Sequence, residues 1–135
     1  MIYSAPRNGR EATPHWKAAR EGRLLMPACE SCRRSVWPPS ASCPSCGGGI
    51  VWNERSGRGT IATFSVVRRP VQPEWKERAP YVVALIDLEE GGRLLCNVVD
   101  CTPEQLSIGA PVTSAFVETT DPELGLVVFR LADTA

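Results

Sequence analysis

The stretch CESCRRSVWPPSASCPSC, residues 29–46, contains two Cys-x-x-Cys pairs separated by ten residues, and it holds four of the six cysteines of the 135-residue chain. Each Cys-x-x-Cys turn presents two sulfurs toward one point. Four thiolates form the tetrahedral ligand set that zinc prefers in structural sites. The spacing therefore predicts a structural zinc site made by Cys29, Cys32, Cys43 and Cys46.

Disulfides and a redox-active thiol pair are the alternative uses of such cysteines. Disulfides are rare in a reducing cytosol. A redox Cys-x-x-Cys normally begins a helix, which Pro38 and Pro39 between the two pairs do not favour. Because a closed shell of four thiolates leaves no coordination position for water, we expect the zinc to stabilise the surrounding segment and not to catalyse a reaction.

The charges of the chain are unevenly distributed, although its net charge is zero. Residues 1–78 hold thirteen Lys/Arg and six Asp/Glu, whereas residues 79–135 hold two and nine. This asymmetry suits docking onto a charged partner. A GC-rich genome that favours arginine codons explains the arginine excess equally well.

The first residues, MIYSAPRNGREATPHW, lack the basic start and the apolar run of a signal peptide. No stretch approaches the roughly 18 apolar residues of a membrane span. We therefore expect a cytoplasmic protein that does not enter a membrane.

Helix and strand signals divide the first part of the chain into an arm, a helix and a strand. We expect an extended arm over residues 1–12 and a short helix in TPHWKAAREG, with Thr13 as its cap, Pro14 in the first turn and Gly22 as a left-handed exit. RLLMPA, residues 23–28, predicts a strand that leads into the first cysteine pair.

Five strand-like runs follow the cysteine cluster: TIATFSVV, YVVALIDL, RLLCNVVD, APVTSAFVE and LGLVVFRLA. Gly91-Gly92 predicts a hairpin turn, the proline-rich residues 68–80 predict a long irregular loop, and TPEQLSIG predicts one helical turn capped by Thr102. Five strands with a short helix between the third and the fourth have the order of an OB-fold barrel. A generic five-stranded sandwich would use the same pieces.

Alternation in TIATFSVV predicts which side chains of the first barrel strand share a face. Residues 61, 63, 65 and 67 would lie on one side, and residues 62, 64 and 66 on the other. We expect a mainly β chain with three parts: an arm and helix (1–22), a zinc ribbon (23–54) and a five-stranded OB-fold barrel (55–135).

No catalytic group is predicted. The lone histidine, His15, is expected at the surface or as a helix cap. Cys96 and Cys101 lack a neighbouring base and are expected to be small buried residues. The acidic residues of the predicted hairpin tip are expected to be solvated charges: Asp87, Glu89 and Glu90.

The order of PHWKAAREG, CESC, WPPSASCPSCGG, SGRGTIATFSVV, YVVALIDLEEGGRLLCNVVD and LSIGAPV resembles the zinc-ribbon/OB-fold family of acyl-CoA-associated proteins, long catalogued as a domain of unknown function. The resemblance covers about residues 13–131. Arg33 departs from the glycine that is commoner at its position.

The resemblance implies a rubredoxin-like zinc ribbon followed by an OB-fold barrel. Such proteins are small accessory subunits of thiolases, acyltransferases or thiolase-fold aldolases that act on acyl-CoA thioesters. The thiolase-like partner supplies the catalytic groups, while the zinc-ribbon subunit orders the partner, shapes an acyl channel and contacts CoA. We therefore expect a non-catalytic subunit of a hetero-oligomer.

Carried over to this sequence, the resemblance assigns Cys29, Cys32, Cys43 and Cys46 as zinc ligands. Candidate contacts to acyl-CoA or to the partner lie on loops at the predicted barrel ends: Arg58, Arg68, Arg69 and Trp75. Trp16 and Trp37 are candidate interface anchors, with packing against the ribbon as the alternative role.

Two other functions use the same parts. Zinc ribbons and OB-folds also bind single-stranded nucleic acids, but the barrel half is acidic, with only Arg93 and Arg130 after residue 79. No nucleic-acid partner is therefore expected. A stand-alone acyl-CoA binding protein or thioesterase is the second alternative, and the lack of a base opposes its catalytic form.

Overall fold

The computed structural model describes residues 3–6 and 10–132, and in this part of the chain β-strands predominate. Two α-helices are α1, Thr13–Arg20, and α2, Pro73–Lys76. The strands are β1 Leu24–Cys29, β2 Ile50–Arg55, β3 Arg58–Val67, β4 Tyr81–Leu88, β5 Arg93–Val98, β6 Pro111–Glu118 and β7 Gly125–Leu131. No helix of these described residues has the length and apolar character to cross a membrane.

Five strands form a closed barrel in the order β3-β4-β5-β7-β6. Neighbours are antiparallel except β5 and β7, which run parallel and pair at Val98 and Phe129 alone. Strict alternation along β4 places every second side chain in the core, and the same pattern continues on β5. The predicted five-stranded barrel is confirmed, and the Gly91-Gly92 turn joins β4 to β5 with positive φ at both glycines.

The predicted face assignment for β3 is wrong in its second half. A β-bulge between Ile61 and Thr63 shifts the register against β4. Ile61 is buried, but Thr63 and Ser65 are exposed, while Phe64 and Val66 turn toward the core. An extra residue in one strand reverses the side-chain alternation beyond it, so the simple period of two does not hold across Ala62.

The ribbon strands β1 and β2 form a separate two-stranded antiparallel sheet, from Leu24 opposite Arg55 to Cys29 opposite Ile50. Leu24 and Met26 are 2% and 0% exposed and belong to the same buried cluster as the barrel residues. The ribbon and the barrel therefore share one hydrophobic core.

Helix α1 lies against the barrel through the buried Ala18 and Ala19. Thr13 does not cap it, because Ala12 occupies the N-cap and Thr13 is already helical. The predicted exit at Gly22 is confirmed by its φ of 78°. A Cβ at Gly125 would lie 2.7 Å from the Arg20 backbone nitrogen, so glycine permits the close approach of β7 to the helix.

Two loop predictions need correction, and a third is refined. Residues 68–80 contain α2, which starts with Pro73, so the segment is not wholly irregular. The arm is not extended throughout, since Arg10–Ala12 form a 3₁₀ turn; residues 1, 2 and 7–9 lie outside the described part. The turn Pro103–Gln105 is 3₁₀, and the Thr102 N–H at its N-cap donates to Gln105 Oε1 at 2.8 Å.

Candidate metal centre

The four predicted ligand cysteines meet at one point. The sulfurs of Cys29 and Cys46 are 3.5 Å apart, those of Cys32 and Cys43 are 3.7 Å apart, and all four lie within 4.8 Å of one another. A zinc–sulfur bond of about 2.3 Å in a tetrahedron requires sulfurs about 3.8 Å apart. The four thiols therefore fit a zinc ion in a closed shell.

Two turns of the same design carry these cysteines. The N–H of Arg33 donates to the Cys29 carbonyl at 3.0 Å, and the N–H of Gly47 donates to the Cys43 carbonyl at 2.8 Å. Arg33 and Gly47 both have left-handed backbone, with φ of 64° and 77°. Arg33 therefore occupies the position where glycine is easiest, and this conformation costs an arginine about 1 kcal/mol.

Backbone N–H groups prepare two of the four sulfurs, those of Cys29 and Cys43, for metal binding. The N–H groups of Cys32 and Ser31 donate to Cys29 Sγ at 3.4 and 3.3 Å, and these bonds lower the pKa of Cys29 to about 6. The N–H groups of Cys46 and Ser45 likewise lower the pKa of Cys43. Hydrogen bonds to the charged form stabilise thiolates, which are the species that zinc binds.

The ribbon has little apolar packing of its own. Its buried cluster consists of Cys29, Val36 and Cys43, with Ile50 packed against it. Two of the ligands, Cys32 and Cys46, are exposed. A module with so small a core depends on the metal for its fold.

His15 is not at the surface, contrary to the prediction. Its side chain is 1% exposed, and its ring lies between Trp16 and Trp37 at centroid distances of 4.5 and 4.8 Å. Its Nδ1 is 2.9 Å from the Leu25 carbonyl oxygen. Since a carbonyl only accepts, Nδ1 carries the proton and donates it to β1, so His15 ties the helix to the ribbon.

Burial lowers the pKa of His15 below its usual 6.5, although the hydrogen bond to the Leu25 carbonyl acts to raise it. The unfolded chain therefore binds a proton near pH 6.5, whereas the folded chain binds it only at lower pH. We expect the free energy of unfolding to fall as pH drops below about 6.5.

Urea titrations between pH 7.5 and 5.5 should show this decrease in unfolding free energy in the wild type. The His15→Gln variant should be less stable than the wild type at pH 7.5, and its unfolding free energy should depend less on pH. An unchanged pH dependence in this variant would contradict its assignment to His15.

Trp37 also packs against the core that the barrel shares with β1, whereas the alternative role predicted for it was packing against the ribbon. Trp16, Trp37 and His15 line a cavity of about 140 Å³ against β5 and β7. Trp16 Nε1 is buried and finds no hydrogen-bond acceptor among the described residues.

The candidate ligand residues fall into two groups at opposite ends of β3. Arg58 begins the strand and pairs with Glu89, with Nε and Oε2 2.6 Å apart. Arg68 and Arg69 follow its last residue. Since β3 has ten residues and a strand rises about 3.3 Å per residue, roughly 30 Å of strand separates the groups. Arg69 and Trp75 line one open groove of about 410 Å³, and Arg58 is not part of it.

The remaining polar candidates do not form a catalytic set. Arg93 bonds both carboxylate oxygens of Asp87, at 2.7 and 3.2 Å, and lowers the pKa of that carboxyl. Burial raises the pKa of Cys96 to about 12, and burial together with Asp100 raises that of Cys101. Both thiols stay protonated at neutral pH, which is the opposite of an activated nucleophile.

Two family models match the chain in sequence. The model described as "ChsH2, rubredoxin-like zinc ribbon domain" matches residues 16–51, and "ChsH2, C-terminal OB-fold domain" matches residues 52–117. The first match includes all four ligand cysteines, and the second covers β3 through most of β6. The order of the two domains agrees with the fold described above.

Two relatives differ in how much of their length this chain spans. A "DUF35 domain-containing scaffold protein" of Methanocaldococcus jannaschii is 37% identical over 105 residues, which are 75% of this chain and 73% of the relative. A "Probable enoyl-CoA hydratase alpha subunit" of Thermomonospora curvata is 38% identical over 129 residues. That match covers 94% of this chain but 39% of the relative, so the chain spans well under half of that subunit.

A solved structure titled "Ltp2-ChsH2(DUF35) aldolase" contains a similar chain. The TM-score is 0.83 at 37% sequence identity, and the match covers 95% of this chain and 99% of the other. A second solved structure, of a DUF35 protein from Sulfolobus solfataricus, has a TM-score of 0.61 at 16% identity and supports the fold alone. With its zinc ribbon, its barrel and these relatives together, the chain belongs to the DUF35 family, in the ChsH2 arrangement of a rubredoxin-like zinc ribbon followed by an OB-fold domain.

Proposed function

We propose that this protein is a non-catalytic, zinc-binding accessory subunit of a thiolase-like enzyme complex that acts on acyl-CoA thioesters. One zinc ion would be held by Cys29, Cys32, Cys43 and Cys46 and would stabilise the ribbon. The chain's own residues would then position the barrel and the ribbon against the enzyme subunit, which would supply the catalytic groups.

The observation that carries the proposal is the likeness, over nearly the whole of both chains, to a chain of a structure titled as an aldolase that pairs Ltp2 with ChsH2. The name of the Thermomonospora curvata relative points to acyl-CoA chemistry as well, as one subunit of an enoyl-CoA hydratase. Protonated Cys96 and Cys101 and the closed set of four thiols agree with a chain that performs no reaction itself.

The groove beside α2 is our candidate for contact with acyl-CoA. Arg69 offers a cation for a phosphate, and Trp75 and Tyr81 lie with ring centroids 4.7 Å apart in the same groove. Arginine binds phosphate oxygens bidentately, and aromatic rings stack on a base. Arg68 is next to this groove, whereas Arg58 is engaged by Glu89 at the other end of β3.

Co-purification tests the proposal. The chain carries an affinity tag and is expressed together with any thiolase-like or other acyl-CoA enzyme that the neighbouring genes encode. We expect the two chains to elute together in size-exclusion chromatography at a mass above that of either subunit, with acyl-CoA turnover in the complex and none in the tagged chain alone.

Two outcomes would contradict the proposal. Elution of the tagged chain by itself, with its zinc bound, would refute the accessory role. Turnover of acyl-CoA thioesters by the purified chain would favour the stand-alone thioesterase. Cys101→Ser serves as the control in the turnover assay, since it removes a thiol that lies outside the metal cluster.

A further inference from the structure

One edge of strand β3 pairs with no other strand of the described residues over its second half. The strand pairs with β4 as far as Val67, but with β6 only from Arg58 to Thr60. Ile61 still exchanges backbone hydrogen bonds with Ala110 and Gly109. From Ala62 to Val67, no described backbone group pairs with the side of β3 that faces away from β4.

The hydrogen-bond alternation shows which groups point to this edge. The Leu88 N–H donates to the Gly92 carbonyl, so the backbone groups of Leu88 point toward β5. Because the backbone groups of successive residues point to opposite sides of a strand, those of Leu85 and Val83 point toward β3. Their partners Thr63 and Ser65 therefore bond to β4. The N–H and C=O of Phe64 and Val66 point outward, toward the unpaired side.

The side chains at this edge are incompletely covered. On β4, Ala84 and Val82 are 1% and 3% exposed, yet their cross-strand partners Phe64 and Val66 are only half-buried. The inner layer of the barrel is thus fully covered over β4 and only partly covered over this half of β3. A strand added beside β3 would cover these two apolar side chains and pair their backbone groups.

We propose that the β3 edge, residues 62–67, binds an extended segment of a partner protein that carries carboxylates where it passes Arg68. Arg68 follows the edge directly, is exposed, and makes no ion pair with any described residue. Backbone pairing supplies the affinity, and the carboxylate contact to Arg68 sets the register and direction.

A second copy of this chain fits the edge less well. The edge sequence ATFSVV contains no acidic residue. Antiparallel self-pairing about Ser65 would set Arg68 opposite Ala62, and parallel self-pairing would set Arg68 opposite Arg68. Either arrangement leaves the arginine without a carboxylate, so a different chain is the better partner. The inference goes beyond the proposed function by locating a docking edge, and it does not depend on which enzyme subunit is bound.

The test measures amide exchange in the ¹⁵N-labelled full chain. The probe is the synthetic peptide Asp-Asp-Val-Thr-Val-Thr-Val, whose acidic end meets Arg68 in antiparallel pairing, and the control peptide starts with Lys-Lys. Without peptide, the amides of Phe64 and Val66 should exchange faster than those of Thr63 and Ser65. Saturating acidic peptide should slow Phe64 and Val66 about tenfold or more, and the basic peptide should bind more weakly.

Variants separate edge pairing from other binding. Val66→Pro removes an outward N–H without breaking a bond to β4 and should abolish the protection at Phe64; Val66→Ala keeps the N–H and should retain it. Arg68→Glu should reverse the preference between the two peptides.

Several results would overturn the inference: unchanged exchange with peptide, equal binding of both peptides, or protection by peptide in Val66→Pro. Protection that depends on the concentration of the chain itself, without peptide, would identify a second copy as the occupant and would also overturn it. Failure here leaves co-elution with an enzyme subunit unaffected, so the two proposals are tested separately.

Discussion

Replacing Cys43 with serine should release the zinc ion and unfold the ribbon. The variant should contain far less than one zinc per chain by atomic emission spectroscopy, and it should lose a large part of its unfolding free energy. Structural zinc contributes on the order of 10 kcal/mol in small modules. The ribbon's own buried cluster, Cys29, Val36 and Cys43 with Ile50, is too small to replace that contribution.

The damage should extend beyond the ribbon. Leu24 and Met26 on β1 are packed in the barrel core, so loss of β1 exposes barrel residues to water. We therefore expect one cooperative transition in urea for the wild type and a shifted, broader one for Cys43→Ser, followed by near-UV circular dichroism. Strong chelators should reproduce the effect on the wild type.

Cys101→Ser is the matched control for the zinc experiment, because Cys101 is a half-buried thiol outside the cluster of four. It should keep one zinc per chain and nearly wild-type stability. Stoichiometric zinc in a variant with serine at all four ligand positions would refute the metal site.

The second large effect is expected for Phe129→Ala. Phe129 is 0% exposed and is the largest fully buried side chain among the described residues. Truncation of a buried phenylalanine leaves a cavity and typically costs about 3–5 kcal/mol. The midpoint of a urea titration should therefore fall markedly, while the slope m stays constant because the same surface is exposed on unfolding.

The position of Phe129 sharpens this expectation. Its carbonyl accepts the Val99 N–H at 2.8 Å, next to the single residue pair that joins β5 to β7. A cavity here would lie where β5 meets β7, the two neighbouring barrel strands that share the fewest paired residues. Phe129→Leu, which retains most of the volume and leaves a smaller cavity, should cost much less than Phe129→Ala. Equal losses for the leucine and alanine variants would argue against cavity formation as the cause.

Local patterns allowed most of the barrel and the metal centre to be predicted. The apolar run YVVALIDL was predicted as a strand, and in the structure it forms β4, with every second residue buried from Val82 to Leu88. The cysteine site could be predicted because it is built from two short turns of known geometry, and each turn is formed by residues close in sequence. Where neighbouring residues determine the structure, sequence spacing was sufficient.

The predictions that failed depend on contacts between distant residues. The residues around Ala62 do not reveal the bulge, because the shift in register is set by pairing with β4. His15 is buried by Trp37, which comes from the loop between the cysteine pairs. The three prolines of residues 68–80 argued against regular structure, yet Pro73 is favourable in the first turn of α2.

The candidate ligand residues show a further limit of sequence spacing. Arg58 and Arg68 both flank the same predicted strand, and only its length and pairing separate them. The structure pairs Arg58 with Glu89 and leaves Arg69 beside Trp75.

The position of Leu24 and Met26 in the barrel core has an evolutionary consequence. Gene rearrangement readily exchanges modules that meet only through polar, weakly packed surfaces. A recombination event that cut this chain between its cysteine turns and its barrel would expose apolar side chains on both fragments. Selection against such fragments would keep the zinc ribbon and the barrel in one reading frame. The ribbon and the barrel should therefore be inherited, duplicated and fused to other genes as a single unit.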